Sequence, residues 1–281
     1  MTDLQAILLG LVQGITEFLP ISSSGHLVLV EAIMGVHLEE EAGIGFEITV
    51  HAGTLLAILI VFRRDVVELV RGGIDLLARV TPTGRARPPR AGEILLRHVI
   101  LGTLPLVAVA PLLKGLVERA ARDPLLGPLL VGFCLLVTAA MLASTHKRED
   151  GQMVVTARLA ILIGLVQCVA VLPGISRSGS TIVIAMLLGV SRAQAARFSF
   201  LLAIPAILGA VVLHVRELLH EQIEPEAVAT YGIAFVVAFV SGWLSLLLLI
   251  RLVDRGRLSW FAPYCATVGL LALGWCLLVG A

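Results

Sequence analysis

Two short runs of this chain carry side chains suited to a phosphorylated ligand. The first brings Gln13, Glu17, Ser22, Ser23, Ser24 and His26 close together, and the second sets Ser176, Arg177, Ser178, Ser180 and Thr181 directly after Pro173 and Gly174. A hydroxyl, a carboxylate, an imidazole and a guanidinium are the parts of phosphoryl transfer: nucleophile, base, orienting group and charge stabiliser. An arginine between serines at a helix start offers a guanidinium fork, hydroxyls and backbone N–H groups, so the second run reads as an anion site, with phosphate the best match. Gln13 and Glu17 are four residues apart and share a helix face. The bland alternatives are that serines after a proline cap free backbone donors, and that Arg177 and Glu17 form a structural pair between the runs. Neither accounts for His26, because ionisable groups inside apolar segments are costly.

The surroundings of both runs are apolar, and the two are copies of one another. GLVQGITEFLPISSSGHLVLV from Gly10 to Val30 matches GLVQCVAVLPGISRSGSTIVI from Gly164 to Ile184, in a chain of 281 residues. That chain is 58% hydrophobic and 15% charged, far from the roughly 45–50% and about 25% of soluble domains. It reads as an all-α polytopic membrane protein, a single integral-membrane domain over 1–281. Spanning the bilayer takes about 20 apolar residues. Six stretches qualify, at approximately 46–62, 95–117, 125–144, 197–215, 229–250 and 261–280. Residues 4–36 and 157–190 are each too long for one helix and are broken centrally by proline, glycine and serine. Backbone freed at such a break survives only inside protein or beside a wet cavity. Two re-entrant helix-loop-helix hairpins are therefore expected beside six transmembrane helices.

Charge sets the topology. Arg63, Arg64, Arg71, Arg79, Arg85, Arg87, Arg90 and Arg97 make the connection around 63–93 the most basic loop, which places it in the cytoplasm. Alternation sends His146, Lys147, Arg148 and Arg158 to the same side, with Arg251, Arg255 and Arg257. Glu39, Glu40, Glu41, His220, Glu221, Glu224 and Glu226 fall outside, as do both termini. The first hairpin then enters from outside and the second from the cytoplasm, so the halves, approximately 1–145 and 155–281, form an inverted repeat. FEITVHAGTLLAI from Phe46 also resembles FSFLLAIPAILGA from Phe198. A formal net charge of +1 gives no support for nucleic-acid binding, and four cysteines standing singly in apolar stretches suit packing. Glu17 and Pro20 interrupt the first apolar run, so no cleaved signal peptide is expected. Glu47 and His51 are expected to line the cavity from a neighbouring span.

EFLPISSSGH at 17–26 and LPGISRSGST at 172–181 closely resemble the two signature motifs of the undecaprenyl-pyrophosphate phosphatases, the bacitracin-resistance proteins of bacteria. The resemblance covers essentially the whole chain. It implies a bacterial inner-membrane enzyme that removes the terminal phosphate of a C55 isoprenoid pyrophosphate and so recycles the lipid carrier of cell-wall synthesis. Carried onto this chain, it points to Glu17, Ser23, His26 and Arg177 as catalytic, and to Gln13, Ser22, Ser176, Ser178 and Thr181 as substrate-binding, to which the hydroxyl-rich first run itself adds Ser24. Ser23 is the first choice of nucleophile or orienting hydroxyl, with His26 as base or nucleophile and Glu17 orienting His26 or binding a cation. The family's need for Mg²⁺ or Ca²⁺ implies a divalent ion, held through the pyrophosphate because Gln13 stands where a second carboxylate could be. Dimers are also implied, and Gly10 and Gly14 have GxxxG spacing. The rival reading is a polyprenyl-phosphate flippase using the same arginine. Binding alone, however, has no need of the Ser/His/Glu set.

Overall fold

In a computed structural model, residues 2–34, 38–79, 88–218 and 225–279 are described. They form helices α1 (Asp3–Phe18), α2 (Ser23–Met34), α3 (Leu38–Val61), α4 (Arg63–Ala78), α5 (Ala91–Arg122) and α6 (Leu126–Ala143). The remainder are α7 (Ala157–Val169), α8 (Arg177–Leu187), α9 (Arg192–Leu218), α10 (Pro225–Asp254) and α11 (Ala262–Val279), with a 3₁₀ turn at Leu258–Phe261. Strand pairing among the described residues is limited to one isolated bridge, Met153 to Val190. This is an all-α polytopic membrane protein.

Among the described residues, five helices are long and apolar enough to cross a bilayer: Ala91–Leu113, Leu126–Ala143, Arg192–Val212, Val228–Asp254 and Leu258–Leu278. Each answers one of the expected spans. The sixth, expected at 46–62, is the apolar part of α3, which continues into α4 through a bend of 88°. The bend falls at Phe62, just before Arg63 and Arg64, where the chain has no reason to stay in hydrocarbon. Helix α4 leaves Val67, Val70, Ile74 and Leu77 exposed at three- and four-residue spacing. Such a helix suits a membrane surface.

Both polar runs fold as a helix, a short break and a second helix. Pro20 and Pro173 cannot donate to a helical ladder, so α1 and α7 end before them. The breaks face each other at the molecular centre, where Gly174 N–H donates to Ser22 Oγ at 3.0 Å and Ser178 Oγ donates to the Phe18 carbonyl at 2.9 Å. Phe18, Ile182, Phe200, Leu201, Leu202, Leu246 and Leu249 are fully buried around this junction.

Helix α1 runs alongside α10 with Gly10 against Ala234 and Gly14 against Ala238 and Ser241, where any side chain at either glycine would strike the α10 backbone. The GxxxG face is thus covered within the chain. Helix α7 packs on α5 in the same manner, Gly164 lying against Gly102. Three of the basic segments meet at one end. Arg192 Nη2 donates to the Arg148 carbonyl at 2.5 Å and its guanidinium abuts Gly256, while Arg197 Nε reaches Asp65 Oδ1 at 2.6 Å. Arg85 and Arg87, together with His220, Glu221 and Glu224, lie outside the described residues, as do the side chains of Glu39, Glu40, Glu41 and Glu226.

Gly174 has φ +97°, and a Cβ there would lie 2.6 Å from Cys134 Cβ and 2.7 Å from the Val131 carbonyl oxygen. Gly174→Ala is therefore expected to destabilise the protein by about 3 kcal/mol, left-handed strain alone costing roughly 1–3 kcal/mol. Thermal unfolding in detergent reads this directly, and an unchanged Tm would show that the break relaxes freely.

Candidate active site

Glu17 occupies the last turn of α1 and is buried. Its carboxylate is the hub of the junction. Ser23 Oγ donates to Oε2 at 3.0 Å, Gln13 Nε2 donates to the same oxygen at 3.0 Å, and Arg177 Nη2 makes an ion pair with Oε1. Gln13 Nε2 also lies 2.9 Å from His51 Nδ1, which brings in α3. The sharing of a face by Gln13 and Glu17 and the pairing of Glu17 with Arg177 are both as the sequence suggests. The Ser23 hydroxyl is placed by the start of α2, directly after the break.

Glu17, Ser23, His51 and Arg177 stand with Ser22, Ser24 and Ser176 at one end of a cavity of about 510 Å³, whereas Gln13, expected to bind substrate, is buried behind Glu17 and is not part of its wall. Leu106, Val107, Pro111, Val171, Ile207 and Val212 supply much of its remaining wall. One end can hold a charged head group while the other accepts an aliphatic chain.

Several hydroxyls expected to bind substrate are engaged in the scaffold. Ser22 Oγ accepts from Gly174 N–H and, at 3.3 Å, from Gly25 N–H; Ser176 Oγ caps α8 by accepting from Gly179 N–H at 3.0 Å. Ser178 Oγ is committed to the Phe18 carbonyl, and Thr181 Oγ1 to the Arg177 carbonyl at 2.8 Å and to Ser199 Oγ at 2.6 Å. Ser24 is exposed at the cavity edge. The capping alternative thus describes how Ser176 is used, and Ser22 and Ser178 go further by joining the two breaks.

His26 stands apart from the hub. Its Nδ1 donates to the Ser22 carbonyl at 2.7 Å, which in a neutral ring leaves Nε2 to accept from Tyr264 O–H at 2.8 Å. The Tyr264 ring stacks on it at 5.7 Å. Glu17, expected to orient His26 or bind a cation, meets Ser23 and Arg177 instead, because both nitrogens of the His26 ring are taken up by the Ser22 carbonyl and Tyr264. Ser22 has φ +70°, rare for a residue with a Cβ, and the imidazole bond to its carbonyl helps hold that turn.

Tyr264 carries no motif and escapes a reading of the sequence. Gln167 does too, although the repeated Gly-Leu-Val-Gln was there to signal it: it borders the cavity, buried, with no partner for either side-chain polar atom among the described residues. No group of three His, Cys, Asp or Glu side chains that could hold a metal ion occurs among the described residues. Glu17, the one carboxylate on the cavity wall there, already meets Gln13, Ser23 and Arg177. This donor set does not fit a resident divalent ion.

Comparison with known proteins agrees with the geometry. The family described as bacitracin resistance protein BacA matches residues 6–271. An undecaprenyl-diphosphatase of Desulfosudis oleivorans is 42% identical over 276 residues, covering 96% of this chain and 97% of its own. One from Methanosphaera stadtmanae is 39% identical over 284 residues, covering 96% of each. Undecaprenyl-diphosphatase 1 of Bacillus cereus is 35% identical over 274 residues, again covering 96% of each. None of these names points to a flippase. With a family match spanning both breaks and every helix that frames the cavity, this chain belongs to the bacitracin resistance protein BacA family.

Proposed function

We propose that this chain is an integral-membrane phosphatase that hydrolyses undecaprenyl pyrophosphate to undecaprenyl phosphate and inorganic phosphate. It thereby recycles the lipid carrier and gives bacitracin resistance. The observation that carries this reading is the Glu17 carboxylate, bonded at once to a hydroxyl and a guanidinium at the polar end of a largely apolar cavity. Membrane lipid continuous with the apolar end delivers the isoprenoid tail.

Ser23 Oγ is the nucleophile. It attacks the terminal phosphorus while Glu17 Oε2 takes its proton, and the anhydride P–O bond breaks to release undecaprenyl phosphate. Water then attacks the phosphoserine, inorganic phosphate leaves, and the proton returns to Ser23. Arg177 turns its remaining N–H donors to the phosphate oxygens, where charge gathers in the transition state. Gln13 and His51 hold Glu17 in line. His26 acts on the turn that presents Ser23. A divalent ion, which the chain's own donors do not fit, would enter only as part of a metal–pyrophosphate substrate and would supply charge neutralisation there.

The two helix–break–helix units are re-entrant hairpins of an inverted repeat. In support, α1 runs parallel to α10 and α7 parallel to α5, and those two partners start from opposite ends of the bundle. Basic segments gather where α5 and α9 begin, while the cavity is bordered by later parts of both, from Thr103 to Pro111 and from Pro205 to Val212. With the basic end in the cytoplasm, the cavity opens to the periplasmic side of the inner membrane and both termini are external. A homodimer uses a surface other than Gly10 and Gly14, since α10 covers them.

Phosphate release by the purified chain in detergent, from C55 and shorter isoprenoid pyrophosphates with and without chelator, tests this function. Turnover that needs added Mg²⁺ or Ca²⁺ is expected. A folded, metal-supplied protein that releases no phosphate, yet moves the lipid between leaflets of liposomes, would overturn it in favour of a flippase.

A further inference from the structure

Gln167 lies near the end of α7, is 1% exposed, and borders the same cavity as Ser23 and Arg177. Neither its Nε2 nor its Oε1 has a hydrogen-bond partner among the described residues. Buried polar side chains are nearly always paired, because leaving one unpaired forfeits its hydration. A glutamine that served only to fill space would be outcompeted by leucine or methionine there.

Its counterpart in the first copy shows what is different. Gln13, at the same place in Gly-Leu-Val-Gln, is equally buried but engages its Nε2 with Glu17 and His51, leaving only its Oε1 without a partner among the described residues. In the second copy Val171 stands at the position of Glu17, and Ala203 at the position of His51 when Phe198 is set against Phe46. The second copy therefore keeps the amide and has lost both protein partners for it. What remains to satisfy the amide is whatever enters the cavity.

We propose that Gln167 is a substrate-positioning residue for the pyrophosphate group, its Nε2 donating to a phosphoryl oxygen and its Oε1 accepting from a water shared with that phosphate. Arg177 and Gln167, which lie on either side of the second break, then grip the head group from the same hairpin, and Glu17 and Ser23 approach from the other. This role rests on the phosphatase function proposed above. It divides the two glutamines of the repeat between holding the base and holding the substrate.

The test compares full-length wild type with Gln167→Leu, which keeps the size and removes both hydrogen-bonding atoms. Three quantities are read: kcat and KM for phosphate release from undecaprenyl pyrophosphate, Tm in detergent, and binding of the intact lipid pyrophosphate to Ser23→Ala with and without Gln167→Leu. Expected are a kcat/KM lower by about ten- to hundredfold, as for loss of a hydrogen bond to a charged group, with KM raised, binding to the Ser23→Ala protein weakened similarly, and Tm unchanged or higher. A merely structural glutamine would lower Tm and leave KM and binding alone. That outcome, or a kcat/KM within twofold of wild type, overturns the proposal. Should the leucine protein not fold, Gln167→Asn, which withdraws the amide by one methylene, is expected to raise KM, and a wild-type KM there is equally fatal. If wild type itself releases no phosphate, it is the phosphatase reading that fails; if wild type is active and Gln167→Leu matches it, only this inference does.

Discussion

Ser23→Ala is expected to fold as well as wild type and to lose phosphate release by about 10⁴-fold or more, as removal of a nucleophile does elsewhere. The Ser23 hydroxyl meets the Glu17 carboxylate at 3.0 Å and supports no backbone group by any hydrogen bond among the described residues. Its neighbour behaves in the opposite sense. Ser22→Ala deprives the Gly174 and Gly25 N–H groups of their acceptor, and each buried donor left unpaired costs about 1–3 kcal/mol. Measuring Tm and turnover on both proteins separates chemistry from scaffold: alanine at 23 stops the reaction, alanine at 22 softens the fold. Full turnover in folded Ser23→Ala would remove the serine mechanism, and phosphate trapped on Ser23 in wild type would secure it.

Arg177→Ala is expected to lower kcat/KM by about 10³-fold or more, in the range that a charge-stabilising arginine contributes to phosphoryl transfer. It also leaves Glu17 buried without its cation. Removing one partner of a buried pair costs about 3–5 kcal/mol, an upper figure here because the Arg177 side chain keeps 19% of its surface exposed. Adding Glu17→Gln to Arg177→Ala is accordingly expected to restore much of the lost Tm and none of the activity. Arg177→Lys is expected to keep most of the stability but to remain deeply impaired, since an ammonium cannot serve Oε1 of Glu17 and fork onto a phosphate at once. Normal hydrolysis by a folded Arg177→Ala protein would exclude any clamp at this position.

The span pattern was legible in the sequence because lipid imposes a length and a polarity on each helix, so Leu126–Ala143 and Val228–Asp254 announce themselves. The 88° turn at Phe62 was not, since the apolar run simply stops at Arg63 and hydropathy carries no direction. In the site, Glu17 and Gln13 were readable from helical spacing, and Arg177 from its place after a proline break. Ser23 was the first choice among three consecutive serines, but that Ser22, also expected to bind substrate, joins the two breaks was not readable from residues of one type. Nor was the direction of His26, whose partner Tyr264 comes from the far end of the chain.

The sequence by itself determined that this chain lives in a membrane and carries one broken, polar segment in two similar copies. It also determined that each copy carries polar groups which lipid would expel unless a cavity received them. These follow from composition, spacing and the cost of burying polar atoms, all of them properties that each segment carries alone. Only the tertiary structure decided that the two breaks meet, that Glu17 serves Ser23 and Arg177 instead of His26, and that Gln167 faces the cavity without a partner among the described residues. The reason is that a hydrogen bond depends on ångström-scale direction between segments some 150 residues apart, and that direction is set by how α1 seats on α10 and α7 on α5.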